Sequence, residues 1–201
     1  MTCDAKQETF RKDLTHLTWD EVYARQVKRA NLVGEWMDAL RLKSGDRLLE
    51  IGAGPGYVSL MLADRVGPAG IIYALDRSAD ALAYLQRLQK ERGVSNIERL
   101  VADAATLKLA DVHVDSALVT MVLHHADDPP GILRNVARLL RPKTLAVVAE
   151  FHPDGPCDQG PPREHRVAPR QVNAWCEAAG LSMVSERRQT AEHYMTLVQR
   201  T

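Results

Sequence analysis

The chain has 201 residues, with 26 basic and 26 acidic side chains, 45% hydrophobic and 5% aromatic composition. That is enough for one domain with its own core, and the balanced charge supplies no overall field for nucleic acid or an anionic membrane surface, so neither is an expected partner. No apolar run reaches the roughly 20 residues of a membrane span, the first residues lack a charged-then-apolar leader, and cysteines only at 3, 157 and 176 fit a reducing, cytoplasmic setting without a disulfide framework.

Residues 1–17 are polar and read as a frayed or loosely docked tail. Thr18 and Glu21 have the spacing of a capping box, and Trp19, Val22, Tyr23, Val27 and Ala30 keep an apolar face at helical period, so a helix starts near Trp19. A second helix over 32–40 and a turn at 43–46 complete an N-terminal cover, residues 1–45, expected to lie over the ligand side of residues 46–201 within one structural domain.

Residues 47–63 read Arg-Leu-Leu-Glu-Ile-Gly-Ala-Gly-Pro-Gly-Tyr-Val-Ser-Leu-Met-Leu-Ala: an apolar strand, a glycine-rich turn, then a helix. Gly52, Gly54 and Gly56 let backbone approach a ligand without Cβ atoms in the way. A dinucleotide site would show G-x-G-x-x-G with pyrophosphate on the helix N-terminus, but here the third glycine comes one residue early and Tyr57 takes its place. Glu50, two residues before the first glycine, would repel a pyrophosphate and attract a cation.

The pattern Glu50-x-Gly52-x-Gly54-x-Gly56 resembles the first motif of the class I S-adenosylmethionine-dependent methyltransferases. The resemblance covers residues 30–200, most clearly 47–76 and 115–128. It implies a Rossmann-like, doubly wound α/β fold with a seven-stranded sheet, mostly parallel with a C-terminal antiparallel hairpin, and helices on both faces. It also implies S-adenosyl-L-methionine as cofactor, S-adenosyl-L-homocysteine as product and a small-molecule methyl acceptor as partner.

Strand-helix alternation through residue 151 independently predicts a doubly wound parallel sheet. After the turn, a helix over 57–66 ends at Gly67-Pro68, and a strand over 71–75 delivers Asp76 to its carboxyl end, where ligands of open parallel sheets lie and a ribose could donate both hydroxyls; Ser78 is the better helix cap. A helix over 78–92 closes at Gly93, and a strand over 97–101 leads to Asp103, which the resemblance sets against the adenine amino group. The same comparison adds Ala53, Arg77, Ala104 and Met121 to the cofactor contacts.

A fourth strand is expected over 114–123, leading to His124 and His125 and then Asp128-Pro129, a segment similar to the family's fourth strand and following loop. As strand neighbours the two histidines should point to opposite sides. His124 is favoured as the catalytic base or polar anchor, and His125, His152, His165 and Arg166 as lining for the substrate side. A helix over 132–140 and a strand over 145–149 follow, joined by Pro142-Lys143-Thr144 where the family usually has Pro-Gly-Gly. Residues 151–168 are a long proline- and glycine-rich loop, of the kind that is functional or disordered. A helix over 172–179 and strands over 181–186 and 193–198 complete the chain.

The histidines and Glu150 show no metal-ligand spacing, so no metal is expected. Two other functions share these features. One is an NAD(P)-dependent oxidoreductase, which would use the sheet and Asp76; the other is a non-catalytic S-adenosylmethionine-binding regulatory or partner protein. The identity of the acceptor atom and the oligomeric state are not encoded in any motif.

Overall fold

The computed structural model describes residues 10–12, 14, 16–109, 113–158 and 160–201. Two helices, α1 (Trp19–Val27) and α2 (Ala30–Ala39), precede β1 (Arg47–Ile51), α3 (Tyr57–Val66), β2 (Ile71–Asp76), α4 (Ala79–Arg92) and β3 (Ile97–Val101). Then come β4 (Val114–Thr120), a 3₁₀ turn (Leu123–His125), α5 (Pro129–Leu139), β5 (Leu140–Phe151), a second 3₁₀ turn (Arg163–His165), α6 (Pro169–Ala178), β6 (Leu181–Arg188) and β7 (His193–Arg200).

The strands form one seven-stranded sheet in the order β3-β2-β1-β4-β5-β7-β6. The first five run parallel, and β7 is antiparallel to both β5 and β6, which is the expected doubly wound sheet with its C-terminal hairpin. Because successive strand residues face opposite sides, two apolar layers arise. Leu48, Ile72, Ala74, Leu118 and Val147 pack with α2, α3 and α4, whereas Leu49, Tyr73, Leu75, Ala117, Val119 and Val148 pack with α5 and α6. Each fully buried leucine contributes about 1.5–3 kcal/mol, and Leu48 and Leu49, one on each face, tie β1 into both layers.

The capping box at α1 forms: Thr18 Oγ1 accepts from Glu21 N, and Glu21 Oε2 accepts from Thr18 N at 2.8 Å. Leu32, Val33, Trp36, Met37 and Leu40 of the N-terminal cover share the core of the sheet's first face. Trp36 Nε1 also donates to Gln189 Oε1 at 3.0 Å, tying α2 to the C-terminal hairpin.

Three expectations change and one, a frayed or loosely docked tail, narrows. Strand β4 stops at Thr120, three residues early, because Met121 adopts a left-handed φ of 54° and Glu150 Oε1 accepts from Leu123 N at 2.7 Å, pulling the chain into a 3₁₀ turn. Strand β5 extends to Leu140–Phe151, and the unusual Pro142-Lys143-Thr144 sits in a register shift opposite Asp115, with Lys143 at φ 64° where glycine is the easier residue. The tail's described part is docked: Arg77 donates to Lys12 O at 3.1 Å, and the Phe10 ring lies 4.7 Å from that of His165. Finally, Cys157 is disulfide-bonded, against the expectation of a reducing setting without a disulfide framework; Cys176 is a free, buried thiol that burial pushes up to about 12. Among the described residues no helix is long and apolar enough to cross a membrane.

Candidate active site

The carboxyl ends of β1, β2, β3, β4 and β5 open into a cavity of about 620 Å³. At its β1 end Glu50 is buried and accepts from Ser59 Oγ of α3 at 2.5 Å. Burial pushes the Glu50 carboxyl up to about 7, Ser59 opposes this, and the neighbouring Asp76 adds to it. A group poised this way is drawn into its ionised form by a cation placed beside it.

The glycine turn serves two purposes. A Cβ on Gly52 would come 2.7 Å from Val122 Cγ2, and one on Gly56 would come 2.3 Å from Leu85 of α4. Gly56 is therefore required by helix packing, whereas Gly52 and Gly54 line the cavity. The turn's amides are already used. Gly52 N and Ala53 N donate to Leu75 O at 2.8 and 3.0 Å, Gly54 N to Asp76 Oδ2 at 2.8 Å, and Gly56 N to Ala53 O at 3.1 Å. A pyrophosphate needs such donors free, so this geometry disfavours the dinucleotide reading.

Gln26 of α1, which no motif had marked, locks the turn from above. Its Nε2 donates to Ala53 O at 3.0 Å and its Oε1 accepts from Tyr57 N at 3.0 Å. The only sequence signal was a polar residue on an otherwise apolar helix face.

Asp76 accepts from Gly54 N and from Ser78 N at 2.8 Å each, one bond per oxygen, which leaves lone pairs on both oxygens for further donors. Burial raises its carboxyl above the ordinary range, opposed by these backbone bonds. Ser78 caps α4 as expected, its Oγ accepting from Ala81 N at 3.2 Å. Asp103 Oδ1 accepts from Ala105 N at 2.7 Å, so the residue shapes its loop while lining the cavity. Arg77, Ala104 and Met121 are also on the wall, whereas Ala53 is buried behind it.

At the other end, His124 Nδ1 lies 2.6 Å from Glu150 Oε2, with both side chains buried. The two histidines do not face opposite ways: a 3₁₀ turn replaces the strand, their rings are 4.1 Å apart, and both line the cavity. Burial, with His124 adding to it, pushes His125 down to about 2, so it is neutral. Phe10, Trp19, Trp36 and Phe151 supply aromatic wall.

The remaining expected substrate residues lie outside that wall. Arg166 is buried, donating to Glu192 Oε2 at 2.7 Å, to His152 O at 2.9 Å and to Pro161 O at 3.1 Å, so it holds the long loop whose residues 160–162 reach the cavity. His152 Nδ1 accepts from Asp154 N at 3.1 Å, and His165 packs behind the wall residue Phe10.

The sequence profile of a family described as a methyltransferase domain matches residues 42–201. The chain belongs to this methyltransferase-domain family. The domain is 33% identical over 111 residues to a 2-phytyl-1,4-naphtoquinone methyltransferase of Trichormus variabilis, covering 55% of this chain and 48% of that one. It is 35% identical over 81 residues to a protein-L-isoaspartate O-methyltransferase of Fervidobacterium nodosum, covering 40% and 41%. The matches thus span under half of these relatives' length.

Among solved structures, a SAM-dependent methyltransferase from Aquifex aeolicus superposes with a TM-score of 0.78 at 22% identity, covering 84% of this chain and 89% of that one. The [4+2]-cyclase SpnF does so with a TM-score of 0.73 at 18% identity, covering 85% and 80%. These likenesses show the methyltransferase fold. The residues of this domain fit S-adenosylmethionine: two carboxylates, Glu50 and Asp76, able to meet an ammonium and ribose hydroxyls, face a cradle that a Cβ at Gly52 would crowd.

Proposed function

We propose that this chain transfers the methyl group of S-adenosylmethionine to a small-molecule acceptor. The observation that carries the reading is the ordered set of Glu50, the glycine turn, Asp76 and Asp103 at successive strand ends around one cavity, with the His124 and Glu150 pair at the far end. Glu50 and the turn would hold the ammonium of the cofactor's amino-acid end, Asp76 the ribose, and Asp103 with Ala104 the adenine.

When bound, the cofactor supplies a methyl group activated on a sulfonium, whose C–S bond breaks, leaving its electron pair on sulfur, as the acceptor's nucleophile bonds to carbon. The protein's part is alignment and exclusion of water. Glu150, fed by Leu123 N, accepts from His124 Nδ1 and so fixes the tautomer that leaves Nε2 free. His124 Nε2 then takes the proton of a hydroxyl or thiol acceptor as it attacks, or that of an ammonium acceptor before it attacks. The aromatic wall suits a planar acceptor, in keeping with the quinone-named relative.

Calorimetry with S-adenosylhomocysteine tests the cofactor reading, with micromolar binding expected and no binding at millimolar ligand sinking it. Transfer of labelled methyl into small molecules of a cell extract separates an enzyme from a cofactor-binding partner protein or a relative with other chemistry.

A further inference from the structure

A second cavity, of about 310 Å³, opens where the junction of α1 and α2 meets the turn between β6 and β7. Its wall carries Lys28, Arg29 and Asn31 from the junction, and Thr190 and His193 from the turn. None of the residues assigned above to the cofactor lines it.

Two independent features there present hydrogen-bond donors without acceptors. The first is the N-terminus of α2, a helix of 10 residues that starts without a side-chain cap. The amides of Ala30 and Asn31 meet no acceptor among the described residues. Free amides and the helix dipole together favour an anion at such an end.

The second is His193, whose residue is only 4% exposed. Thr190 Oγ1 accepts from Glu192 N and from His193 N at 3.1 Å each, which fills both of its lone pairs. Its hydroxyl hydrogen is left to donate to His193 Nδ1, at 2.9 Å. Burial pushes the imidazole down to about 4, with Arg29 adding to the shift, so the ring is neutral and carries its one proton on Nε2. That Nε2 is buried and has no partner among the described residues, and a buried N–H is costly until an acceptor reaches it.

The site is remote from the place of the cofactor's amino-acid end. Glu50 is level with Leu118, Val147 and Leu197 on β4, β5 and β7, and His193 lies four residues from Leu197 along β7. At the usual spacings that is roughly 14 Å across the sheet and roughly 13 Å along it. A carboxylate on the same carbon as an ammonium held by Glu50 does not reach so far. Lys28 and Arg29 line both cavities, so they do not decide between them; His193 and α2 do.

The wall also selects the kind of anion. Lys28 and Arg29 bring positive charge, and the Arg29 guanidinium, 5.9 Å from the centre of the Phe151 ring, donates no side-chain hydrogen bond among the described residues. Asp158 and Glu192 line the same cavity and oppose a second negative charge on the ligand. A carboxylate is thereby favoured over a phosphate dianion.

We propose that the second cavity binds a carboxylate, received by the Nε2–H of His193 and the first amides of α2, at a site separate from the cofactor's.

The test titrates acetate and its neutral isostere acetamide into the full isotope-labelled chain, alone and saturated with S-adenosylhomocysteine, with proton–nitrogen NMR as the readout. Expected is a saturable shift of the His193 Nε2–H signal and of the Ala30 and Asn31 amides, half-complete at about 1–10 mM acetate, absent with acetamide and alike in both states of the protein. His193→Phe keeps a ring against Phe151, now 4.7 Å from the imidazole, and loses the donor. It should raise the acetate midpoint at the Asn31 amide at least tenfold and leave S-adenosylhomocysteine affinity unchanged; if it does not fold, the Nε2–H shift of the unsubstituted protein decides alone. The proposal is overturned by an unmoved His193 signal at about 100 mM acetate, by equal shifts with acetamide, or by equal midpoints with and without the histidine. Displacement of acetate by S-adenosylhomocysteine overturns it too, because the anion would then occupy the place of the cofactor's own carboxylate. Failure of S-adenosylhomocysteine itself to bind strikes the methyltransferase reading and leaves the acetate titration intact. Where acetate binds, labelled methyl transfer tells the source of the carboxylate: slowed transfer at unchanged S-adenosylhomocysteine affinity marks one carried by the acceptor, and unslowed transfer marks a free acid.

Discussion

Gln26 spans the glycine turn, donating to Ala53 O and accepting from Tyr57 N, both at 3.0 Å. One side chain from the N-terminal cover thus satisfies two backbone groups of the turn that shapes the cavity. Replacing it with leucine leaves the Tyr57 amide unpaired, which costs about 1–3 kcal/mol, while Ala53 O keeps its bond from Gly56 N. Gln26→Leu should lower the urea midpoint and weaken S-adenosylhomocysteine binding together, as read by denaturation and calorimetry; unchanged affinity would show that the turn holds its shape without α1.

Glu50 makes stability depend on pH. Its carboxyl is raised from 4.5 to about 7 in the folded chain, chiefly by burial, so between these values the unfolded chain has released a proton that the folded chain retains. Stability is full below 4.5 and falls as pH rises to about 7, by on the order of 3 kcal/mol. Glu50→Gln should remove this slope in urea titrations at pH 4.5, 6 and 8. A bound cation draws the carboxyl down again, so S-adenosylmethionine should release protons near pH 7 and bind more tightly at pH 8 than at pH 6, visible by calorimetry in buffers of different ionisation enthalpy.

Asp76 joins the turn to α4 through Gly54 N and Ser78 N. Asp76→Ala should reduce S-adenosylhomocysteine affinity by about tenfold or more, through the lost charge-assisted hydroxyl contacts and a loosened turn. Wild-type affinity in this variant would show that the ribose lies elsewhere.

His124 and Glu150 form the acceptor-side pair. With labelled methyl transfer as the readout, His124→Gln should slow turnover by about 10²-fold or more while S-adenosylhomocysteine binding is retained. Glu150→Gln should act in the same direction by releasing the imidazole's orientation. Full activity in both variants would assign the pair to packing.

Gly56 has φ 90°, and a Cβ there would meet Leu85 at 2.3 Å. Gly56→Ala should therefore destabilise by about 1–3 kcal/mol through backbone strain and overpacking. Leu85→Ala in the same chain should recover only the steric part, so a double-mutant cycle by denaturation separates the two; simple additivity would mean that the helices never conflicted.

Features carried by short stretches are legible in the amino-acid sequence alone. The capping box at Thr18 and Glu21, the apolar strand before the glycines, Gly93 closing α4 and the acids at the ends of β1 and β2 all depend on neighbours within a few residues. Strand ends are less so. Nothing near Met121 signals that Glu150, 27 residues beyond Leu123, captures Leu123 N and ends β4. Likewise the histidine pair reads as strand-alternating until that long-range bond curls it into a 3₁₀ turn with both rings on the wall.

The alternating sheet, its antiparallel finish and the family all follow from the order of the residues, because period, turn chemistry and the Glu50-to-Gly56 spacing are local properties of the chain. Which polar residues meet is a different matter, and it took the packed fold to settle it. Folding brings Gln26 to the glycine turn, Glu150 to His124, and Arg29 to Phe151 with no hydrogen-bond partner among the described residues. It also turns Arg166 from the cavity to the loop behind it. A buried hydrogen bond or an unspent charge depends on which distant strand and helix ends converge, and that is set by packing across the whole sheet.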